Sequence, residues 1–362
     1  MASGNSTDEA WTTGKSTLQY ANATLDIGGL ANAILATLTL KIIYLVLGIF
    51  GFFSNVFVVV VIALYKPMHK QLTNFFIVNQ STMDATVAFF LFFTSVYEDD
   101  KHRRTQGNVA DEAICRLWYT KMPLWGMLVS STYGILMLTL ERFFAVVHPI
   151  WHKTTFTRNR LLSAGTMMVP WVVGVSFNVA YMVPTAMITV DGDCTVYNVW
   201  PSKLTQAAVG VFTTFVQYLL PLLLLAYGYS RMVWVLHKRV ETVEGPAGAG
   251  GTGKEVKRNE SMARARGNVL KTLALVACSF IICWTCNQVY YLMYHIGYPN
   301  LDFTSNFYNA TVVMVFTNCC VNPIIYSVKY EPFQRGVASI LCRNKIRPRD
   351  DHGPGSNSTT IQ

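Results

Sequence analysis

Seven long stretches of this chain carry almost no charge, and this feature constrains its fold more than any other. Each is long enough to supply the roughly 20 apolar residues that cross a bilayer as a helix. The stretches are residues 42–65, 71–97, 122–140, 161–190, 204–230, 272–301 and 303–328. The only Asp, Glu, Lys or Arg within them is Asp84, whereas helices of a soluble protein carry polar faces. The sequence therefore predicts an all-α fold, a bundle of seven transmembrane helices.

The composition agrees with a membrane environment. Hydrophobic residues make up 52% of the chain and charged residues 14%, against about 25% charged residues in soluble domains. When the seven spans alternate across the bilayer, most Lys and Arg fall in one set of loops and most acids in the other. The basic side is expected in the cytoplasm, which places the N-terminus outside. The net charge of +9 then reflects membrane topology, and no nucleic-acid partner is expected.

The N-terminal region differs from the spans. Residues 1–40 are polar and are expected to form a flexible extracellular tail. Sequons at Asn5 and Asn22 make these residues candidate glycosylation sites. No cleavable signal peptide is visible, so the first span is expected to act as a signal anchor.

The seven-transmembrane domain is expected to cover residues 41–329, with a flexible, glycine-rich intracellular loop at about 237–266. Residues 330–362 would form a short amphipathic helix on the membrane surface after span seven, followed by a cytoplasmic tail. The apolar side of this helix contains Phe333, Val337, Ile340 and Leu341. Cys342 at its end is a palmitoylation candidate, and membrane lipid is an expected partner.

Two cysteines lie on the oxidising side outside the spans, Cys115 and Cys194. They are therefore predicted to form a disulfide that ties the start of span three to the loop after span four. The cysteines within the spans are expected to pack as ordinary apolar side chains. These are Cys278, Cys283, Cys286, Cys319 and Cys320.

Ionisable groups inside the spans suggest function but leave alternatives open. Asp84 is either a functional acid or a neutral group with structural hydrogen bonds. Glu141 and Arg142 end the apolar run of span three. They either reach the lipid headgroups or form a switch in which Arg142 exchanges partners.

Further polar and aromatic residues complete a pattern across the spans. The residues are Asn55 in span one, Asp84 in span two, Cys115 and Glu141-Arg142-Phe143 in span three, Trp171 in span four, Pro221 and Tyr229 in span five, Trp284 in span six and Asn322-Pro323-Ile324-Ile325-Tyr326 in span seven. Together they resemble the rhodopsin-like (class A) family of G-protein-coupled receptors, over about residues 40–345. The resemblance implies a multi-pass receptor of the plasma membrane with no enzymatic activity.

The resemblance also implies a polar pocket in the middle of the bundle, which holds an allosteric sodium ion and no other cofactor. Its residues would be Asp84, Ser131, Asn318 and Asn322. An activation core would contain Asp84, Trp284, Asn322, Pro323 and Asn55, with Trp284 as a rotamer switch. By residue type alone, a water-filled network and simple packing of Trp284 remain alternatives.

At the cytoplasmic end the resemblance implies a G-protein coupling switch of Glu141, Arg142, Tyr229 and Tyr326. Arg142 would pair with Glu141 at rest and would extend into a cleft for a G-protein helix when span six swings outward. The implied partners are a heterotrimeric G protein, arrestin and a receptor kinase.

Some positions depart from the family pattern. Phe143 replaces the usual tyrosine, and Cys286 replaces the proline that kinks span six. Arg266 stands where many members place an acid against Arg142, so we expect raised basal activity. The spacing from Cys115 to Arg142 is longer than usual by about two residues, and Pro123 is expected to absorb the difference.

The ligand class follows partly by exclusion. An amine ligand is not expected, because no acid lies between Cys115 and Glu141, and retinal is not expected, because span seven has no lysine. The outer ends are rich in aromatic and amide side chains, and the predicted ligand pocket contains Trp125, Asn287, Gln288 and Tyr291. A neuropeptide fits this composition. A lipid-like small molecule and a constitutively active orphan receptor remain alternatives, and a transporter or channel is disfavoured because no internal repeat is visible.

Overall fold

The computed structural model describes the backbone of residues 6–97, 104–196, 200–244 and 253–341. Side chains are described for residues 34–97, 104–195, 200–238, 267–268 and 270–341. The predictions that concern the side chains of Asn5, Asn22, Arg266 and Cys342, and the tail after residue 341, lie outside the described part of the chain.

Seven helices of the described chain are long and apolar enough to cross a membrane, as predicted. They are α1 (Ser6–Leu64), α2 (Leu72–Val96), α3 (Met122–Val147), α4 (Arg160–Met182), α5 (Lys203–Thr214 and Leu220–Glu244, joined by a π-helical turn), α6 (Gly253–His295) and α7 (Asn306–Lys329). A shorter helix, α8 (Glu331–Leu341), follows α7. We call the end of the bundle that carries Cys115 the disulfide end and the opposite end the Arg142 end.

The first helix begins earlier than the sequence predicted. Its backbone is helical from Ser6, within the stretch where we expected a flexible tail. The part that can span a membrane begins at Ile34 instead of about residue 42. Residues 34–40 consist of Ile, Leu, Ala and Thr, and no proline lies between residues 6 and 64, so no proline interrupts the helix before residue 42.

Helix α5 is interrupted beside a proline, whereas α6 is continuous. A π-helical turn at Phe215–Leu219 directly precedes Pro221, because the proline ring has no N–H to donate and collides with the carbonyl one turn earlier. In contrast, α6 is continuous over 43 residues. Cys286, which stands in place of the usual proline, lies within this continuous helix.

The start of span three contains the extra residues of the Cys115 to Arg142 segment. A π-helical segment covers Ile114–Tyr119, and Lys121 then adopts a left-handed conformation with φ 54° and ψ 32°. Helix α3 starts afresh at Met122, with Pro123 in its first turn. The break thus lies immediately before Pro123, where proline is compatible with a helix start.

A two-stranded antiparallel hairpin, which the sequence did not predict, closes the disulfide end. Strand β1 (Ala186–Ile188) pairs with β2 (Cys194–Val196). The predicted disulfide joins Cys115 to Cys194, with a Cα–Cα distance of 5.6 Å. Cys115 packs with the two buried residues of β1, Ala186 and Ile188, so the bond fixes the hairpin over the start of span three.

Helix α8 lies against the Arg142 end, as its predicted amphipathic pattern requires. Phe333 is buried against the core, and Val337 and Ile340 pack beside it, whereas Leu341 is exposed. The Tyr330 hydroxyl before this helix donates to Asn74 Oδ1 at 2.7 Å. The helix is therefore joined to α2 by a buried hydrogen bond.

Close helix contacts in the core depend on glycine at two positions. A side chain at Gly134 would collide with Gln80 and Met83, and one at Gly174 would collide with Ser130 and its backbone. The second contact sets the distance between α3 and α4. A hydrogen bond joins α4 to α2, since the indole N–H of Trp171 on α4 donates to Asn79 Oδ1 on α2 at 3.0 Å.

We expect Gly174→Leu to lower the thermal stability of the purified protein, because overpacking of a close contact costs about 1–3 kcal/mol. Gly165→Leu is the matched control on the same helix, since no atom lies within 4 Å of a Cβ built there. Thermal unfolding of both variants in detergent measures the effect. Equal unfolding temperatures for the two variants would contradict this account of the contact.

Candidate functional site

A cavity of about 430 Å³ opens at the disulfide end of the bundle. The four residues of the predicted ligand pocket, Trp125, Asn287, Gln288 and Tyr291, all line it. The other lining residues are Leu40, Tyr44, Leu91, Thr94, Ser95, Tyr119, Thr120, Lys121, Leu124, Asn178, Tyr181, Met182, Thr213, Gln217, Phe303, Tyr308, Asn309, Val312 and Phe316. This volume lies in the range of small-molecule sites, so the cavity holds a molecule of that size or one end of a larger ligand.

The walls of this cavity are aromatic and polar. Trp125 packs against Phe316 with ring centroids 5.9 Å apart, and the hydroxyls of Tyr181 and Tyr291 are hydrogen-bonded to each other. Asn287 Nδ2 donates to Thr311 Oγ1 at 3.2 Å. The Gln288 Oε1 atom is buried without a hydrogen-bond partner in the described chain, so it can accept a bond from a ligand or a water.

Lys121 is a lining residue that the sequence analysis did not single out. In the sequence, the charge of Lys121 served only to mark where the uncharged stretch of span three begins. The sequence does show that Lys121 lies two residues before Pro123. The left-handed backbone conformation of Lys121, however, is visible only in the folded chain.

Below the cavity, Asp84 is the centre of a buried hydrogen-bond network. Ser131 Oγ donates to Asp84 Oδ1 at 2.5 Å, and Asn322 Nδ2 donates to Oδ2 at 2.8 Å. Gln80 Nε2 lies 3.2 Å from both carboxylate oxygens and donates to Ser131 Oγ at 2.7 Å. Three residues of the predicted sodium pocket are thus brought together, and Gln80 is a member that sequence reasoning missed.

The same network leaves acceptor oxygens unused. Oδ1 of Asn318, Oδ1 of Asn322 and Oε1 of Gln80 are buried without a partner in the described chain. Asn318, one turn before Asn322, makes no hydrogen bond to Asp84 in the described chain. Carboxylate, hydroxyl and amide oxygens are the donor set that hard cations prefer, so these residues fit a sodium ion, and they also fit ordered water.

The remaining residues of the predicted activation core occupy buried positions around this network. Asn55 Nδ2 donates to the carbonyls of Gly51 at 2.9 Å and Cys319 at 2.8 Å, which ties α1 to α7. Trp284 is 1% exposed and packs against Phe280. Its indole N–H has no partner in the described chain. Pro323 is buried inside α7.

At the Arg142 end, the Glu141 carboxylate contacts two side chains, those of Arg142 and His152. Arg142 Nε and Nη2 donate to the two oxygens of Glu141 at 2.5 Å each, which is the pair that the sequence predicted. His152 Nε2 lies 2.9 Å from Glu141 Oε1, a contact that the sequence did not reveal. The Glu141 side chain is 0% exposed and that of Arg142 is 20% exposed. The pair is thus largely removed from solvent, which argues against simple snorkelling.

The two tyrosines of the predicted switch do not bind Arg142 in this structure. The Tyr229 hydroxyl lies 3.4 Å from Thr139 Oγ1, and the Tyr326 hydroxyl is buried without a hydrogen-bond partner in the described chain. Arg142 pairs with Glu141 instead. The structure therefore holds the arrangement that was predicted for the resting form.

The foot of α6 is bonded to α7 and α8. Asn268 Nδ2 donates to Glu331 Oε1 at 3.2 Å, and Thr272 Oγ1 donates to the Lys329 carbonyl at 3.2 Å. We call these two contacts the α6 latch. They hold the end of α6 that contains Arg266. At that position many members of the family carry an acid that pairs with the arginine equivalent to Arg142.

Comparisons with known proteins agree with this architecture. The family model described as 7 transmembrane receptor (rhodopsin family) matches residues 54–326. Squid rhodopsin, a solved structure, has a TM-score of 0.66 and 16% identity, with 84% of this chain and 85% of that chain covered. This likeness concerns the fold.

Curated relatives match most of the chain. The substance-P receptor of Cavia porcellus is 26% identical over 332 residues, which cover 87% of this chain and 74% of that protein. The galanin receptor type 1 of Rattus norvegicus is 26% identical over 327 residues, which cover 86% and 87%. Galanin receptor 2a of Danio rerio is 23% identical over 322 residues, which cover 87% and 80%.

We expect Glu141→Gln to destabilise the protein by about 3–5 kcal/mol, because it leaves the partly buried Arg142 without its counter-charge. Glu112→Gln is the matched control, since Glu112 pairs with Arg116 at a more exposed site, where such pairs contribute about 0–1 kcal/mol. Thermal unfolding of the purified variants measures both effects. A loss in the Glu141 variant no larger than that in the control would contradict the importance of the buried pair.

Proposed function

Because this chain belongs to the rhodopsin family of seven-transmembrane receptors, we propose that it binds an extracellular peptide and activates a heterotrimeric G protein. The family comprises signalling receptors and not enzymes. The observation that carries the peptide assignment is the set of curated relatives, which are named substance-P and galanin receptors. The aromatic and amide-rich cavity supports it, because such walls suit the side chains and backbone of a peptide.

The proposed orientation follows from charge. The protein is a multi-pass membrane protein, and the basic loops place the Arg142 end in the cytoplasm. The disulfide end, the cavity and the N-terminus then face the outside of the plasma membrane. A disulfide at that end is consistent with an oxidising environment.

Signalling is proposed to work by a shift between two packings of the bundle. In the closed packing, Arg142 is held by Glu141 and the α6 latch holds the foot of α6. A ligand that fits the open packing better shifts the population toward it. Helix α6 is continuous from the cavity to the latch, so displacement at its cavity end is transmitted along one helix. Release of the latch opens a cleft in which Arg142 contacts the G protein.

Further partners are proposed on the resemblance alone. Arrestin and a receptor kinase would act on the Ser- and Thr-containing C-terminal tail, and lipid would surround the exposed apolar side chains of the spans, such as Phe53, Leu223 and Ile282.

The proposed function is tested by a peptide-library screen on cells that express this chain, with several G-protein classes as readout. Active peptides are expected for the wild type, and Arg142→Ala is expected to abolish the signal at normal surface expression. Arg160→Ala removes the same charge at the same end and is expected to retain signalling. A library without any active peptide, or full signalling by the Arg142 variant, would contradict the proposal.

We expect Asn268→Ala and Glu331→Ala each to raise basal signalling about twofold, because each removes the same exposed hydrogen bond of about 0.5 kcal/mol from the closed state. Their combination is expected to add little, since both disrupt one contact. Arg335→Gln on α8 is the control, because it removes the ion pair of Arg335 with Glu331 within that helix and leaves the hydrogen bond between Asn268 and Glu331 intact. Basal second-messenger levels equal to the wild type in both single variants would rule out the latch.

We also propose that the Asp84 network takes an allosteric sodium ion. The purified wild type is expected to unfold at a higher temperature in sodium chloride than in choline chloride. Asp84→Asn is expected to remove this difference, because it deletes the anionic ligand. A difference that persists in the variant would place the sodium effect elsewhere.

A further inference from the structure

Among the lining residues that the structure describes, Lys121 is the only charged one. The other lining residues are apolar, aromatic, amide or hydroxyl side chains, and none is an Asp, Glu, Arg or His. The predicted ligand pocket was uncharged, so the structure changes its electrostatic character. An ammonium group in a site with low effective dielectric attracts an anion more strongly than it would in water.

No acid of the described chain neutralises this ammonium. The ion pairs found at the disulfide end involve Glu112 and Arg116, and Lys121 takes part in none. Its surroundings desolvate the charge and lower the pKa of the ammonium below the usual value. The residue is nevertheless exposed and lines the cavity, so a ligand can reach it.

The backbone holds Lys121 in an unfavourable conformation. At φ 54°, a residue with a Cβ is sterically disfavoured, and asparagine or glycine would be the usual occupant. The conformation is enforced on both sides. Lys121 N–H donates to the Trp118 carbonyl at 2.9 Å, and its own carbonyl accepts from Trp125 N–H at 3.1 Å. Strain that the surroundings maintain in this way is typical of binding sites.

We propose that Lys121 binds a carboxylate of the ligand, next to an aromatic or apolar ligand group that packs on Trp125 and Phe316. This inference rests on the proposed function and defines the chemical class of its ligand. The cavity of about 430 Å³ accommodates one or two residues of a peptide. The carboxylate is either the C-terminus of the peptide or an Asp or Glu side chain close to the end that enters.

The first test does not depend on signalling. Thermal unfolding of the purified receptor is measured with N-acetyl-L-phenylalanine and with its uncharged amide, both at millimolar concentration. The acid is expected to raise the unfolding temperature of the wild type and of Lys121→Arg, and the amide is expected to have little effect. Lys121→Gln is expected to lose the response to the acid. Its backbone strain is similar, because glutamine and lysine are both unbranched at Cβ.

The matched control is Lys203→Gln, which removes the same charge from an exposed site at the disulfide end and lies outside the cavity lining. It should respond as the wild type does. An equal response to acid and amide, no response to either, or a response to the acid that persists in Lys121→Gln would overturn the proposal.

The second test identifies the source of the carboxylate. Hexapeptide libraries are prepared with a free or an amidated C-terminus and with Glu or Gln at each position. Active peptides are expected to need one carboxylate, and their potency is expected to fall about tenfold or more in Lys121→Gln, because a charge-assisted hydrogen bond is lost. Lys121→Glu is expected to favour cationic peptides.

The two tests separate the two proposals. If no peptide activates the wild type, the proposed function fails, and the unfolding measurement still decides the role of Lys121. If peptides activate regardless of their carboxylates and of residue 121, the receptor function stands and the carboxylate site is wrong.

Discussion

The hydrogen bonds around Asp84 are the constraint on which the rest of this bundle depends. A carboxyl group within hydrocarbon is costly unless neighbouring groups donate to it. Here the donors come from α2, α3 and α7 through Gln80, Ser131 and Asn322. A helix that moved away would leave a buried oxygen unsatisfied. The network therefore couples the positions of these three helices in the middle of the membrane.

The two ends of the molecule are held by different means, and this difference matters for a receptor. At the disulfide end, a covalent bond and a hairpin fix the start of span three and leave an open cavity beside it. At the opposite end, the closed packing is held by an ion pair and by the hydrogen bonds of the α6 latch. Noncovalent contacts can exchange partners, and the proposed shift between two packings therefore takes place at that end.

Much of the fold could be predicted because it depends on properties that are local in sequence. The length and lack of charge of seven stretches define the spans, and the amphipathic spacing after span seven indicates α8. Cys115 and Cys194 could be paired because both lie outside the spans on the oxidising side of the membrane. The contacts that were missed join residues far apart in the chain, such as Asn268 with Glu331 and Gln80 with Ser131. The earlier start of α1 was missed because a polar segment can continue a helix when nothing ends it.

The sequence by itself determined that this protein lies in a membrane, how many spans it has and which family it belongs to. Hydropathy and motif residues can be read directly from the order of the amino acids. Only the tertiary structure decided which polar groups meet. In the folded chain His152 contacts Glu141, Gln80 donates to Asp84, and Lys121 lines the cavity. The left-handed turn at Lys121 shows the reason. Lys121 lies between a π-helical segment that is bonded through Cys115 to the hairpin and a helix with Pro123 in its first turn, and the bond to the hairpin joins residues far apart in the chain.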